Sequence, residues 1–289
     1  MKGLLHFDIK LSKGRFLTAC ASLLSLFGSA QTLAESVPQP TIAIIIDDLG
    51  HNYQSGAELV RFPYPLTLAF LPGRRFTLDL AQLAKDHDKE IMLHLPMENT
   101  LGYALGKGGL THTMGEQEFK QSLAQSLRDI PYARGLNNHM GSFLTSQKQS
   151  MRWLMESLKQ THYYFVDSRT TAASVAAQEA GAIGIPHLVR DVFLDHEQTP
   201  DYVHTQFERL LKIANTQGSA IAIGHPHQVT IDYLSSRLAE LDELGVRMAT
   251  VSALWQLKHP YASLPEPPSL QEREARLALR SQNRTEQSN

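Results

Sequence analysis

The stretch TIAIIIDDLG, Thr41 to Gly50, ends an apolar run on two adjacent carboxylates, Asp47 and Asp48. Like charges this close raise one another's pKa and are costly beside a core. A divalent cation relieves the cost: one aspartate coordinates it while the other stays free to take a proton. The bland alternative is that Asp48 caps a following helix. On the pair alone both readings stay open.

Histidines in comparable places extend the set. LHLPMEN carries His94 at the end of a second apolar run, with Glu98 four residues on. Positions i and i+4 of a strand share a face, and imidazole and carboxylate are ordinary ligands of Zn²⁺ and related ions. GLNNHMGS offers His139 as a third ligand, with asparagines such as Asn138 placed to bind substrate. AIAIGHPH ends on His225 and His227. His225 suits a general acid, since imidazole titrates near neutrality; His227 reads as a solvated turn residue. Asp167 in FVDSRT and Asp191 in RDVFLD could orient a histidine from behind. Arg190 and Asp191 could equally form a plain ion pair.

Such residues need elements that bring them together. Between Thr41 and Leu257 short apolar runs alternate with longer segments of helical period. The strand candidates are IAIIID, LTLAFLP, EIMLHLP, RGLNNHM, YYFVDS, HLVRDVFLD, SAIAIGHP and VRMATVS. Alternation with continuously apolar strands predicts a parallel sheet covered by helices. The expected fold is α/β, a distorted or irregular (β/α) barrel of seven to eight parallel strands. An open doubly wound sheet is the alternative. In either fold a site forms at the carboxyl ends of the strands. Asp47 and Asp48, His94, His139, Asp167, Arg190 and His225 all fall there.

Taken together and in this order, IIIDDLG, LHLPMEN, GLNNHMGS, FVDSRT, RDVFLD and IGHPH resemble the divergent polysaccharide deacetylase family, a branch of the NodB-like deacetylase superfamily. The resemblance covers 41–257. It implies a distorted (β/α) barrel and a metal-dependent hydrolase site. By likeness, Asp47 matches the catalytic base, Asp48 the metal-binding aspartate, His94 the first metal histidine, and His225 the group that protonates the leaving amine. The superfamily's second histidine, four residues after the first, is replaced by Glu98. Its Arg-Pro-x-Tyr segment is absent, and NNHMGS stands in that place. Either His139 or Glu98 then completes the metal shell. His139 is the expected one, because it sets two neutral imidazoles around one aspartate.

The remaining bounds agree with a secreted enzyme. Net charge is −2 with signs well mixed, which argues against nucleic acid as a partner. The one cysteine, Cys20, lies in an N-terminal stretch that reads as an export signal over 1–34. Its apolar run of 15 residues is short of the roughly 20 that a spanning helix needs, so no stable membrane span is expected after cleavage. A short linker over 35–40, a domain over 41–258 and a polar, disordered tail over 259–289 follow. The expectation is an exported protein of the periplasm or envelope. It uses one divalent metal, zinc first, to deacetylate N-acetylated sugars of a polysaccharide or peptidoglycan-type substrate. The alternatives are a catalytically reduced carbohydrate-binding or scaffold protein, and an amidase or esterase on a non-sugar substrate.

Overall fold

β1 (Thr41–Leu49) is buried along nearly its whole length. A strand buried on both faces belongs in a parallel sheet covered by helices. The computed structural model describes residues 39–159 and 161–267. The expected export signal lies outside them, as do residues 35–38 of the linker and 268–289 of the tail. After β1 come α1 (Tyr53–Val60), β2 (Thr67–Phe70), α2 (Thr77–Asp86), β3 (Glu90–Met97), α3 (Glu116–Asp129), β4 (Gly135–Met140), α4 (Lys148–Leu158), β5 (Tyr164–Asp167), α5 (Ala176–Ile183) and β6 (His187–Val189). The series ends with β7 (Val192–Phe193), α6 (Pro200–Gln217), β8 (Ser219–Gly224), α7 (Gln228–Arg237), β9 (Arg247–Met248) and α8 (Val251–Lys258).

Hydrogen-bonded neighbours run β6-β5-β4-β3-β2-β1-β8-β7, and β9 pairs with the start of β1. Every pairing is parallel. The eight-strand path curls into the expected distorted (β/α) barrel. Its seam departs from the expected strands. HLVRDVFLD reads as one strand, yet it divides into β6 and β7, the two ends of the path. Arg190 and Asp191 carry the chain across. The Arg190 N–H donates to the Asp167 carbonyl (3.1 Å) and the Asp191 N–H to the Ile221 carbonyl (2.9 Å). The barrel therefore closes through the covalent chain at this point, with no β6–β7 ladder. VRMATVS also differs: only Arg247–Met248 pairs as strand, and the Thr250 hydroxyl then accepts from the Ala253 N–H to cap α8.

Alternate strand residues fill the barrel interior, including Ala43, Ile45, Met92, Val166, Ile221 and Ile223. The residues between them, such as Ile44, Leu93 and Phe165, pack under the helices. A period of two carries the inner line onward to Asp47, His94, Ser168 and His225 at the carboxyl ends.

α8 closes the opposite end. Its Ser252 N–H donates to Glu90 Oε1 (3.1 Å), which also accepts from Thr67 Oγ1 (2.9 Å) and Tyr164 Oη (2.8 Å). A buried carboxylate with three donors at a helix N-terminus is strongly held. Glu90→Ala is expected to lower the unfolding free energy by about 2–4 kcal/mol, because three donors lose their acceptor. Urea midpoints of parent and variant check this, and equal midpoints would refute it. Beyond α8, Leu264 packs against the inner cluster. No described helix is long and apolar enough to cross a membrane.

Candidate metal centre

Regular alternation would turn Asp48 away from Asp47. Instead the register of β1 slips between Ile46 and Leu49, and Asp48 adopts φ 59°, in the left-handed region. Both carboxylates then reach one histidine: His94 Nδ1 lies 3.6 Å from Asp47 Oδ1, and His94 Nε2 lies 3.2 Å from Asp48 Oδ1. The cap of α1 is Asn52, whose Oδ1 accepts from the Gln54 and Ser55 N–H groups, so capping does not consume Asp48. Met140 (φ 53°) and Arg169 (φ 48°) are also left-handed, at the ends of β4 and β5. Non-glycine strain of this kind collects at functional sites.

Three donor atoms meet at this mouth. His94 Nε2 and His139 Nδ1 are 3.0 Å apart, and His139 Nδ1 is 2.9 Å from Asp48 Oδ1. Asp48 Oδ1 is buried, yet no hydrogen bond of acceptable direction reaches it. Lone pairs of two imidazoles and a carboxylate thus share one small space. Donors spaced in this way suit a single ion bound at about 2.0–2.2 Å, and the donor set is one that Zn²⁺ and related ions accept. The residues fit a divalent metal.

Asn137 organises the neighbours. Its Oδ1 lies 2.7 Å from His94 Nδ1, and its Nδ2 donates to Asp47 Oδ1 (2.8 Å). Holding the proton on Nδ1 leaves the Nε2 lone pair for the metal. Burial raises the pKa of Asp47, although His94, His225 and Asn137 partly offset it. Burial also acts to raise Asp48, but the two imidazoles outweigh it and hold that carboxyl below the usual range.

Across the mouth, His225 is bound to Asp195. Asp195 Oδ1 lies 2.8 Å from His225 Nδ1, while Oδ2 accepts from the His225 N–H (2.6 Å) and Thr230 Oγ1 (2.7 Å). His227 is near enough to make a second possible ion-binding group with these two. Both oxygens of Asp195 are already engaged, so the arrangement is an anchored imidazole. Burial alone would depress the pKa of His225; the bond and charge of Asp195, with the charges of Asp47 and Asp48, lift it to about 9.

The other expected residues sit elsewhere. Glu98 leaves the shell: its carboxylate takes the N–H (2.8 Å) and Nδ1 (2.8 Å) of His112. Asn138 points away from the histidines and ties strand ends, accepting from the Ser168 N–H and donating to the Met140 carbonyl. Asp167 accepts from the Arg169 N–H and Ser174 Oγ, and Asp191 accepts from the Ile221 N–H, so neither orients a histidine. Arg190 forms no ion pair with Asp191; it donates to the Ser168 and Arg169 carbonyls. Sequence alone gives Asp195 no role and places Asn137 only among the asparagines near substrate, not as the link between His94 and Asp47. Asn137 was within reach of simple alternation, since it shares a face with His139.

Comparison with known proteins places this arrangement. The uncharacterized protein YibQ of Escherichia coli (strain K12) is 31% identical over 242 residues, covering 84% of this chain and 75% of YibQ. An uncharacterized protein of Haemophilus influenzae (strain ATCC 51907 / DSM 11121 / KW20 / Rd) is 33% identical over 231 residues, covering 80% of this chain and 82% of that one. The crystal structure of the uncharacterized protein ATU2773 from Agrobacterium tumefaciens C58 aligns with a TM-score of 0.72 at 25% identity, over 76% of this chain and 90% of that one. The profile of the family described as divergent polysaccharide deacetylase matches residues 44–255. That span takes in the whole mouth from Asp47 to His225, and the chain belongs to the divergent polysaccharide deacetylase family.

Proposed function

We propose that the protein is a metal-dependent hydrolase that removes acetyl groups from N-acetylated sugars of an envelope polysaccharide. Asp48, His94 and His139 hold one divalent ion, for which zinc suits the donor set. The observation that carries this reading is the approach of three lone-pair donors to within 3.2 Å of one another, with an acid and a base on either side. When bound, the ion supplies a water of lowered pKa and a Lewis-acid partner for a carbonyl oxygen. Asp47, fixed by Asn137 and spared from coordination, takes the proton of the attacking water. His225, charged and anchored by Asp195, gives its proton to the departing amine nitrogen. Asn137 serves as the neutral donor to the base in a chain that lacks the superfamily's Arg-Pro-x-Tyr segment. The expected export signal would deliver the protein to the periplasm or envelope, where such glycans are found.

The test is acetate release by zinc-loaded mature protein from N-acetylglucosamine oligomers and peptidoglycan fragments, with simple acetate esters in parallel. Release from the sugars supports the proposal. Release from esters alone would replace it with the esterase reading, and none from any substrate by metal-bearing protein would replace it with the binding or scaffold reading.

The acid also makes a pH prediction. A pKa of about 9 keeps His225 protonated through neutrality, so activity is lost as pH rises through that value. A bound dication would withdraw part of the lift from Asp48; the part supplied by Asp195 remains. Asp195→Asn should therefore move the alkaline limb of kcat/KM downward by about one to two pH units. An unmoved limb would remove His225 from the acid role.

A further inference from the structure

The seam of the barrel carries a cation that the proposed chemistry does not use. The Nε and Nη2 of Arg190 donate to the carbonyls of Ser168 (2.6 Å) and Arg169 (2.8 Å), and its guanidinium carbon lies 3.7 Å from the centre of the Phe193 ring. Phe193 in turn stacks with His225 at 6.3 Å. A guanidinium offers five N–H groups in a rigid fork. The two carbonyls occupy the Nε–Nη2 edge, which leaves the two parallel N–H groups of the Nη1–Nη2 edge unspent.

No carboxylate of the described residues is paired with this charge. Asp167 is engaged by the Arg169 N–H and Ser174 Oγ, and Asp191 by the Ile221 N–H. Burial lowers the Arg190 pKa to about 10, against the opposing charges of Asp167 and Asp191, so it is fully charged at neutral pH. Nearby carboxylates committed to other donors leave this partly desolvated cation without a direct ion pair, a place that an anionic ligand can fill. Beside it, Ser168 is 1% exposed and its hydroxyl has no partner. Ser168 follows Tyr164 and Val166 on the inner line of β5, the line that faces the mouth.

We propose that Arg190, backed by Phe193 and joined by Ser168, binds a carboxylate carried by the glycan, so that the preferred substrate is an acidic polysaccharide. That the ligand is a glycan rests on the hydrolase reading; that the site takes a carboxylate rests on Arg190 and Ser168. The free edge matches a planar carboxylate through two parallel charge-assisted N–H···O bonds, which a neutral hydroxyl cannot make. The link through Phe193 to His225 keeps the anion on the sugar being processed or on its neighbour.

The test uses zinc-loaded protein and two acidic oligosaccharides, one alternating N-acetylglucosamine with glucuronic acid and one alternating N-acetylglucosamine with N-acetylmuramic acid. Each is paired with its carboxyl-reduced form. Calorimetry reads Kd, and acetate release is followed separately. At least one acid should bind about tenfold to a hundredfold more tightly than its reduced partner, and the responding acid shows whether the carboxylate sits on the ring or on the lactyl ether. Arg190→Gln should bring the ratio close to one, Arg190→Lys should leave an intermediate ratio, and Ser168→Ala should lower it several-fold. Parent ratios near one for both acids, a full ratio in Arg190→Gln, or no binding of any probe would each overturn the proposal. The parent ratio and Ser168→Ala decide the matter even if Arg190→Gln does not fold. Discrimination in binding without acetate release would sink the hydrolase reading alone; acetate release without discrimination would sink this inference alone.

Discussion

His94→Ala should abolish metal binding and, with it, hydrolysis. The side chain supplies one of three converging donors, and its other nitrogen is tied through Asn137 to Asp47. A structural zinc site of four ligands is worth about 10–16 kcal/mol, so losing one ligand costs on the order of a hundredfold to a thousandfold in affinity. Dialysis against a mild chelator should leave about one ion per parent chain and almost none in the variant. Acetate release should fall by at least about a thousandfold, since several kcal/mol of Lewis-acid assistance is withdrawn. A second readout separates metal loss from misfolding. Zinc at about a hundred times its Kd should stabilise the parent by about 2.7 kcal/mol and leave the melting temperature of the folded variant unmoved. If His94→Ala keeps stoichiometric zinc, the convergence of these residues is a hydrogen-bonded cluster and the hydrolase reading fails with it.

Why the sequence pointed so directly at this triad is a matter of strand arithmetic. Parallel strands that alternate with helices leave their carboxyl ends on one side, so Asp48, His94 and His139 could be placed at one mouth without any knowledge of strand order. Choosing among carboxylates at that mouth was harder. Asp167, Asp191 and Asp195 all follow apolar runs, but of these three only Asp195 stands at the carboxyl end of β7, the outer neighbour of β8, where it reaches His225. That adjacency is long-range and leaves no local trace. The same blindness hid the seam: HLVRDVFLD has the pattern of one strand, and only the pairing partners show that it serves two edges. Glu98 misled for a local reason. Its spacing from His94 assumes a strand that continues, whereas Met97 is the last residue of β3 and bridges to Leu110, so the chain turns Glu98 toward His112. Asn137 and Asn138 looked equivalent as composition, yet a period of two separates them, one facing the histidines and the other the strand ends.

Asp47→Asn separates an enzyme from a protein that only keeps the pocket. The change is isosteric: the amide oxygen can still accept from Asn137 Nδ2, and Asp47 is not among the three converging donors. Zinc content should therefore stay near that of the parent. The proton acceptor is gone, however, and kcat should fall by about two to four orders of magnitude, the usual contribution of a positioned general base. The pH profile carries the finer test. In the parent, activity should rise along an acidic limb as Asp47 ionises, burial acting to raise that limb and the bound dication to lower it. The residual activity of the variant should lack that limb. Asp47 also helps to hold His225 charged, so the alkaline limb should shift to lower pH in the same variant. A structural aspartate would produce neither change. Turnover within a few-fold of the parent would remove Asp47 from the role of base, and metal-bearing protein that is inert before and after the substitution would leave a binding protein in a hydrolase fold.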